Sequence, residues 1–290
     1  MSFPVTEINQ PLANGNTGAV RVGDAIAAFN NSGILSVFDM VTETTTVAWQ
    51  MTSPSGSHPL ANPATPAVDA DGNVWTFTGN ITGNVMFIRI NPVTGATSYY
   101  PTSEPSSNGS RRCAVVDTWV VGFAGGYWIR FNTLTGVAST GVWTGVPACT
   151  QPWVHNGRAY ARQGSGYGGV HKFNPATNAV ESSGFSSHWS SNNVVDNAQP
   201  ALRGGKIYTT CGSGVIVHDL ATETSSVQPV PSGYLGAALV LHDDDRFYSN
   251  PSGSLVGCWD PDTFEVASAS QSCLGVFAAS YNGYVYIPSA

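Results

Sequence analysis

Histidines and carboxylates are the residues with which this chain could build a metal-assisted base, because that chemistry needs a metal ligand and a proton acceptor on neighbouring loops. The six histidines are His58, His155, His171, His188, His218 and His242. No histidine or cysteine pair has the local spacing of a zinc site, and no HExxH, Walker or G-x-S-x-G motif occurs. Only His58 and His188 fall in long polar loops, so a metal-dependent enzyme would use these two.

Three consecutive aspartates, Asp243 to Asp245, follow His242 and could in principle supply calcium ligands. The run lies where a tight turn between two strands is predicted, and a calcium cage needs six or more oxygens. A solvated turn is the favoured interpretation, and no metal or cofactor is predicted. The five cysteines are odd in number and never spaced as CxxC, so buried thiols are predicted.

Three long polar loops, residues 53–66, 101–112 and 185–200, are the predicted place for binding, because loops on a rigid scaffold commonly carry function. The candidate binding residues in them are His58, Arg111, Arg112, His188, Trp189, Asn192 and Asn193. The third loop sets a histidine and a tryptophan among Ser and Asn, a mixture suited to stacking on a sugar or a peptide side chain. Trp189 could equally fold back and plug the mouth of a ring.

A recurring turn motif indicates which elements position these loops. Six times an Asp or Asn is followed three residues later by a threonine, at intervals of about 41 to 52 residues. The pairs are Asp39 and Thr42, Asn91 and Thr94, Asn132 and Thr135, Asn174 and Thr177, Asp219 and Thr222, and Asp260 and Thr263. An Asp or Asn side chain can accept a hydrogen bond from a backbone N–H two residues later, which makes an Asx turn. The spacing is typical of propeller blades.

Each unit is predicted to contain strand a, a tight turn, strand b, a Gly-rich loop, strand c, the Asx turn and strand d. No long segment keeps a helical apolar period, so the fold class is all-β. Seven blades of about four strands are predicted, over residues 17–50, 64–101, 111–142, 149–184, 198–230, 235–270 and 274–290 together with 2–10. Pro4-Val5-Thr6-Glu7 resembles Pro92-Val93-Thr94-Gly95, so residues 2–10 are predicted to close the ring as an outer strand. A smaller seventh blade, or six blades with an extra hairpin, remain alternatives.

The phrases INPVTG and FNPATN resemble those of the PQQ-like, YVTN and streptogramin-lyase-like seven-bladed propellers. The resemblance covers nearly the whole chain and implies an architecture, because its motif describes a turn. No position matches the catalytic residues of the lyases, so no catalytic residue is assigned.

The composition excludes two classes of partner. Only 10% of the 290 residues are charged, the net charge is −7 and no basic stripe occurs, which argues against a nucleic-acid binder. No run of about 18 apolar residues that could span a membrane is present. The N-terminal segment has no basic and apolar signal regions, so synthesis in a cytoplasm without a signal peptide is predicted.

These features predict a non-enzymatic structural or adhesion propeller, in its most specific form a bacteriophage virion protein of the tail. Its predicted partners are other protein subunits of an assembly and a surface glycan or protein receptor. The alternative is a metal-assisted lyase or carbohydrate-active enzyme with its site on the long loops. A third hypothesis is a soluble protein-interaction scaffold.

Overall fold

The computed structural model of the chain describes residues 16–30, 32–52, 63–79, 83–105, 111–124, 127–142, 151–162, 170–181, 185, 199–211, 214–230, 239–249, 255–270 and 279–286. Within these ranges every regular element is a β-strand. No helix of the described ranges is long and apolar enough to cross a membrane. The strands form six four-stranded sheets, named blades 1 to 6, and one two-stranded hairpin.

The first three blades use twelve strands. Blade 1 consists of β1 (Asn16–Val22), β2 (Ala25–Asn30), β3 (Ile34–Asp39) and β4 (Thr44–Gln50). Blade 2 consists of β5 (Ala67–Val68), β6 (Val74–Gly79), β7 (Asn84–Ile90) and β8 (Thr97–Pro105). Blade 3 consists of β9 (Arg111–Val116), β10 (Trp119–Ala124), β11 (Tyr127–Asn132) and β12 (Ala138–Val142).

The remaining strands follow the same plan until the last pair. Blade 4 consists of β13 (Trp153–His155), β14 (Arg158–Arg162), β15 (Val170–Asn174) and β16 (Ala179–Glu181). Blade 5 consists of β17 (Ala201–Arg203), β18 (Lys206–Cys211), β19 (Gly214–Asp219) and β20 (Thr224–Gln228). Blade 6 consists of β21 (Leu239–Leu241), β22 (Phe247–Ser249), β23 (Leu255–Trp259) and β24 (Val266–Ser270), and the hairpin of β25 (Ala279–Tyr281) and β26 (Tyr284–Tyr286).

The prediction of seven blades was wrong, because the described residues contain six four-stranded blades. The described residues of the seventh unit repeat the strand a, turn and strand b signature and form the hairpin β25–β26, which agrees with the alternative of six blades and an extra hairpin. The seventh blade was predicted from this hairpin signature together with the N-terminal segment, residues 2–10. The predicted closing strand, residues 2–10, lies outside the described residues and stays a prediction.

Each blade is an antiparallel meander whose four strands pair in chain order. The a–b turn and the c–d turn therefore lie at the same end of a blade, which we call its turn face. In three of the two-residue a–b turns, Asn156-Gly157, Gly204-Gly205 and Asn282-Gly283, φ lies between 47° and 78° at both positions. Asn and Gly are the residues that adopt such angles at low cost, so the local sequence fixes these hairpins.

The strands divide into two compact units, one with nearly all of β1–β16 and the other with β17–β26. In the first unit the first strands of successive blades contact one another in the order β1, β5, β9, β13, and in the second the order is β17, β21, β25. Aromatic side chains fill the space between the blades of a unit. Between blades 2 and 3, Tyr100 and Trp75 lie 4.9 and 6.2 Å from the ring of Phe131.

Candidate functional site

The turn face is fixed by the Asx turns. In all six of them the Asp or Asn Oδ1 accepts hydrogen bonds from the backbone N–H groups two and three residues later, over 2.8 to 3.3 Å. The residue after the threonine is left-handed in every copy, with φ between 52° and 73°. These residues are Glu43, Gly95, Gly136, Asn178, Glu223 and Phe264. One side-chain oxygen thus holds each turn in a single conformation.

In three of the Asx turns the acceptor is an aspartate, so the stability that these turns contribute depends on pH. In Asp39 and Asp260 the pKa is lowered first by the N–H groups of Thr42 and Thr263, and in Asp219 by the N–H of Thr222. A carboxylate whose pKa is lower in the folded chain than in the unfolded chain stabilises the fold above the unfolded pKa, near 3.8. That stability is lost as the pH falls through the lowered value.

The chain provides its own isostere for a test of this coupling, because Asn91, Asn132 and Asn174 occupy the same position in the other turns. Thermal unfolding of the wild type is expected to show a melting temperature that falls below about pH 4. In the triple variant Asp39→Asn, Asp219→Asn, Asp260→Asn that decline should be shallower, because amides accept the same bonds without titrating.

The variant Asp24→Asn, Asp71→Asn, Asp117→Asn is the control for that series. It removes the same formal charge from a–b turns and leaves all six Asx turns intact. Equal acid slopes in the wild type and in the Asx variant would contradict the coupling.

Three Asx turns also receive side chains from the preceding blade. The indole of Trp49 in blade 1 lies so close to Gly95 that a Cβ there would be 2.2 Å from Nε1. In blade 3, Trp128 Nε1 donates to Asn178 Oδ1 at 3.1 Å, and Arg130 donates to the carbonyls of Pro175 and Ala176. The Asx turns of blades 2 and 4 are therefore sockets for the neighbouring blade as well as hairpin connections.

The third socket is ionic. Arg203 in blade 5 donates to Asp245 Oδ1 at 2.8 Å, and to Asp262 Oδ1 and Oδ2 at 3.1 and 3.0 Å. Both aspartates belong to blade 6, one to its a–b turn and one to its Asx turn. The hydrogen bonds that Arg203 donates to Asp245 and then to Asp262 raise the pKa of its guanidinium, so it stays charged. The aspartate run predicted as a solvated turn supplies one half of this clamp.

The other two aspartates of the run face different donors. Asp243 Oδ2 accepts from the backbone N–H of Gly283 at 3.1 Å. Asp244 accepts from the Tyr248 hydroxyl and the Arg246 N–H, each at 3.0 Å. Among the residues that the structure describes, no group of three or more histidine, cysteine or acidic side chains could hold a metal ion.

Five of the predicted binding residues, His58, His188, Trp189, Asn192 and Asn193, lie outside the described residues. Arg111 and Arg112 were predicted in a loop, and that placement was wrong, because both belong to β9. Arg112 is buried, with 6% of its surface exposed, and it pairs across the sheet with Phe123. It is therefore part of a packed strand.

Two thiols and two imidazoles among the described residues are buried or half-buried. Burial raises the pKa of the Cys113 thiol and of the Cys258 thiol, so both stay protonated and unreactive at neutral pH. His218 is fully buried, with Nδ1 2.8 Å from Ser225 Oγ and the Phe185 ring edge-on at 5.4 Å. Burial lowers the pKa of His171, so that imidazole is neutral.

Among the large apolar side chains that are exposed in the described residues, three share one position of the repeat, the second residue after the Asp or Asn. Val41, Val93 and Leu134 are 62%, 87% and 79% exposed there. We call these three residues the apolar tips. In blades 4, 5 and 6 the same position holds Ala176, Ala221 and Asp262, so the tips are confined to blades 1 to 3. The sequence contained this signal, in the phrases DMVT, NPVT and NTLT, but it was interpreted only as a turn.

No protein-family model and no curated protein matches the chain. Solved structures do, and each covers most of the chain. U3-55K aligns at a TM-score of 0.64 with 11% identity, over 93% of this chain and 85% of that one. The WD40 repeats of RRP9 align at 0.66 with 11% identity, over 93% and 84%. The chain has a β-propeller fold.

A third match, BamB from Moraxella catarrhalis, aligns with this propeller at a TM-score of 0.56 with 16% identity, over 95% of this chain and 82% of that one. All three identities are so low that they show the fold alone. The PQQ-like and YVTN family suggested by the turn phrases is not shown by these matches.

Proposed function

We propose that this propeller is a protein-binding module that joins other subunits in an assembly. The observation that supports the proposal is the set of apolar tips, exposed at the same repeat position in three consecutive blades. Single exposed apolar residues are ordinary on protein surfaces, so it is their recurrence at one turn position of three successive blades that motivates the proposal. WD40 propellers are among the similar folds.

The tips suit binding because their backbone is fixed before a partner arrives. Val41 N–H donates to Asp39 Oδ1 at 2.8 Å, and Leu134 N–H donates to Asn132 Oδ1 at 3.0 Å. A side chain on a preorganised turn loses little conformational entropy when it is buried, so more of its hydrophobic free energy contributes to affinity. The surrounding threonines supply polar groups at the rim.

In its most specific form the proposal is a virion protein of a bacteriophage tail, with the long loops available to a glycan or protein receptor. The neutral surface, rich in Ser, Thr, Asn and Gly, is the reason for this form. Mass spectrometry of purified phage particles tests this form, and peptides of this chain are expected in the particles. Their absence would contradict the virion proposal. The more general proposal of a binding module is tested separately by the variants below.

The apolar tips are tested by the triple variant Val41→Ser, Val93→Ser, Leu134→Ser. Its incorporation into the native assembly is expected to fall about tenfold or more, because buried apolar contacts dominate interface energies. The matched control is Val154→Ser, Leu202→Ser, Val227→Ser, which changes three apolar residues that are 41%, 51% and 36% exposed elsewhere. Equal incorporation of the two variants would contradict the proposal, provided that their melting temperatures match.

A further inference from the structure

Each apolar tip has an acidic a–b turn beside it in the same blade. In blade 1 the N–H of Met40, the residue before Val41, donates to the carbonyl of Asp24 at 2.9 Å. The carboxylate of Asp24 belongs to an exposed turn. This backbone hydrogen bond therefore holds the turn that contains Asp24 beside the turn that carries the tip.

Blade 3 repeats the arrangement. The N–H and the hydroxyl of Thr133 donate to the carbonyl of Thr118 at 2.9 and 3.0 Å, and Leu134 follows directly. Thr118 shares its two-residue turn with Asp117, which is exposed. The exposed turn that contains Asp117 and the turn that carries Leu134 are again joined by backbone hydrogen bonding.

In blade 2 an ion pair connects the acidic a–b turn to the Asx turn. Its a–b turn has five residues, and Asp71 within it is 81% exposed. Arg89, two residues before Asn91, lies 3.8 Å from Asp71 and 3.6 Å from Asp69 through its guanidinium nitrogens. This ion pair holds the acidic turn beside the Asx turn that carries Val93.

Blades 4 to 6 lack the combination of an apolar tip and an acidic a–b turn, so the fold does not require it. In blade 5 the same bond joins Leu220 N–H to the Gly205 carbonyl at 3.1 Å, but the a–b turn is Gly204-Gly205 and the tip position is Ala221. Blade 4 has Asn156-Gly157 and Ala176. In blade 6 the tip position holds Asp262, and Arg203 forms ion pairs with Asp245 and Asp262.

Basic side chains at the turn face of blades 1 to 3 are already engaged. Arg21 Nε donates to the Gly23 carbonyl at 2.8 Å, Arg89 pairs with its two aspartates, and Arg130 donates to carbonyls of blade 4. Glu43 adds another exposed acid close to Val41. Exposed carboxylates beside exposed apolar tips are complementary to cationic and apolar side chains presented together.

We propose that the turn face of blades 1 to 3 binds a polypeptide segment in which lysine or arginine residues alternate with large apolar residues. This inference rests on the proposed binding function and names its partner class. The apolar residues of the segment cover Val41, Val93 and Leu134, and its cations approach Asp24, Asp71 and Asp117. Because those carboxylates are exposed, affinity should weaken as the salt concentration rises.

The probe is a short fluorescent peptide in which lysine alternates with leucine, titrated with the full chain and followed by anisotropy. Two comparison peptides replace the lysines by glutamate or the leucines by serine. The lysine–leucine peptide is expected to bind, and each comparison peptide to bind at least about tenfold more weakly.

Variants locate the binding. The tip variant Val41→Ser, Val93→Ser, Leu134→Ser and the acid variant Asp24→Asn, Asp71→Asn, Asp117→Asn should each weaken binding about tenfold, and the acid variant should also lose most of the salt dependence. The control Val154→Ser, Leu202→Ser, Val227→Ser should bind like the wild type.

Two results would overturn the inference: no binding of the lysine–leucine peptide to the wild type, or an equal loss in the control variant. If the peptide fails while the tip variant is still excluded from the native assembly, the partner class is wrong and the proposed function stands. If the peptide binds as expected while the tip variant assembles normally, the surface recognises such segments but does not join this assembly.

Discussion

Gly95→Ala is expected to lower the free energy of unfolding by about 3 kcal/mol, through two effects at one residue. Gly95 has a φ of 73°, and a side chain in the left-handed region costs about 1–2 kcal/mol. The added Cβ would also lie 2.2 Å from Nε1 and 2.6 Å from Cε2 of Trp49, so the indole must shift out of its socket at a cost of about 1–3 kcal/mol.

Gly136→Ala separates the two effects. Gly136 occupies the same turn position in blade 3, with a φ of 70°, but a Cβ there meets no atom within 4 Å. Urea unfolding should therefore show a loss of only about 1–2 kcal/mol for this variant. Identical losses for Gly95→Ala and Gly136→Ala would mean that Trp49 does not use the Asx turn of blade 2 as a socket.

Trp128→Ala is expected to have the largest effect on stability, a loss of about 4 kcal/mol. Trp128 is buried, with 7% of its surface exposed, and its ring centroid lies 5.0 Å from that of Phe173. Its Nε1 donates a hydrogen bond to Asn178 in the next blade. Truncation removes the packing between blades 3 and 4 and leaves a cavity. Trp119→Ala, which removes a ring 4.6 Å from the Arg130 guanidinium, is the milder comparison and should cost about 1 kcal/mol.

A double-mutant cycle with Gly141 tests the same packing from the other side. A Cβ at Gly141 would lie 2.2 Å from the Trp128 ring, so Gly141→Ala should cost about 2 kcal/mol in the wild type. In the Trp128→Ala background the same substitution should cost almost nothing, because the ring that it would strike is gone. A coupling energy near zero would contradict the close approach of Gly141 and Trp128.

The Asx repeat could be predicted from the sequence because its bonds join residues two or three positions apart. The side-chain type and spacing at Asn132 and Thr135, for example, contain the whole geometry of the turn. The sockets could not be predicted in this way. Trp128 and Asn178 are 50 positions apart, and Arg203 and Asp262 are 59 apart, so these contacts depend on how neighbouring blades stack.

The misplacement of Arg111 and Arg112 has a different cause. A polar segment followed by two arginines is typical of a loop, so the composition of this segment predicts a loop. β10 runs from Trp119 to Ala124, and a two-residue turn at Asp117-Thr118 pairs it with residues back to Arg111. The length of β10 together with that turn was the signal that could have placed both arginines in a strand. The predicted number of blades was wrong because the strand a, turn and strand b signature accounts for two strands, whereas a blade has four.

The most direct test of the binding function is amide hydrogen exchange in the six Asx turns, measured on the free chain and on the chain in its native assembly. The turns share one hydrogen-bonding pattern, so each is a control for the others. We expect residues 39–43, 91–95 and 132–136 to become protected on assembly, while residues 174–178, 219–223 and 260–264 keep the exchange rates of the free chain. Protection confined to the second group, or equal in both groups, would contradict the proposed binding function.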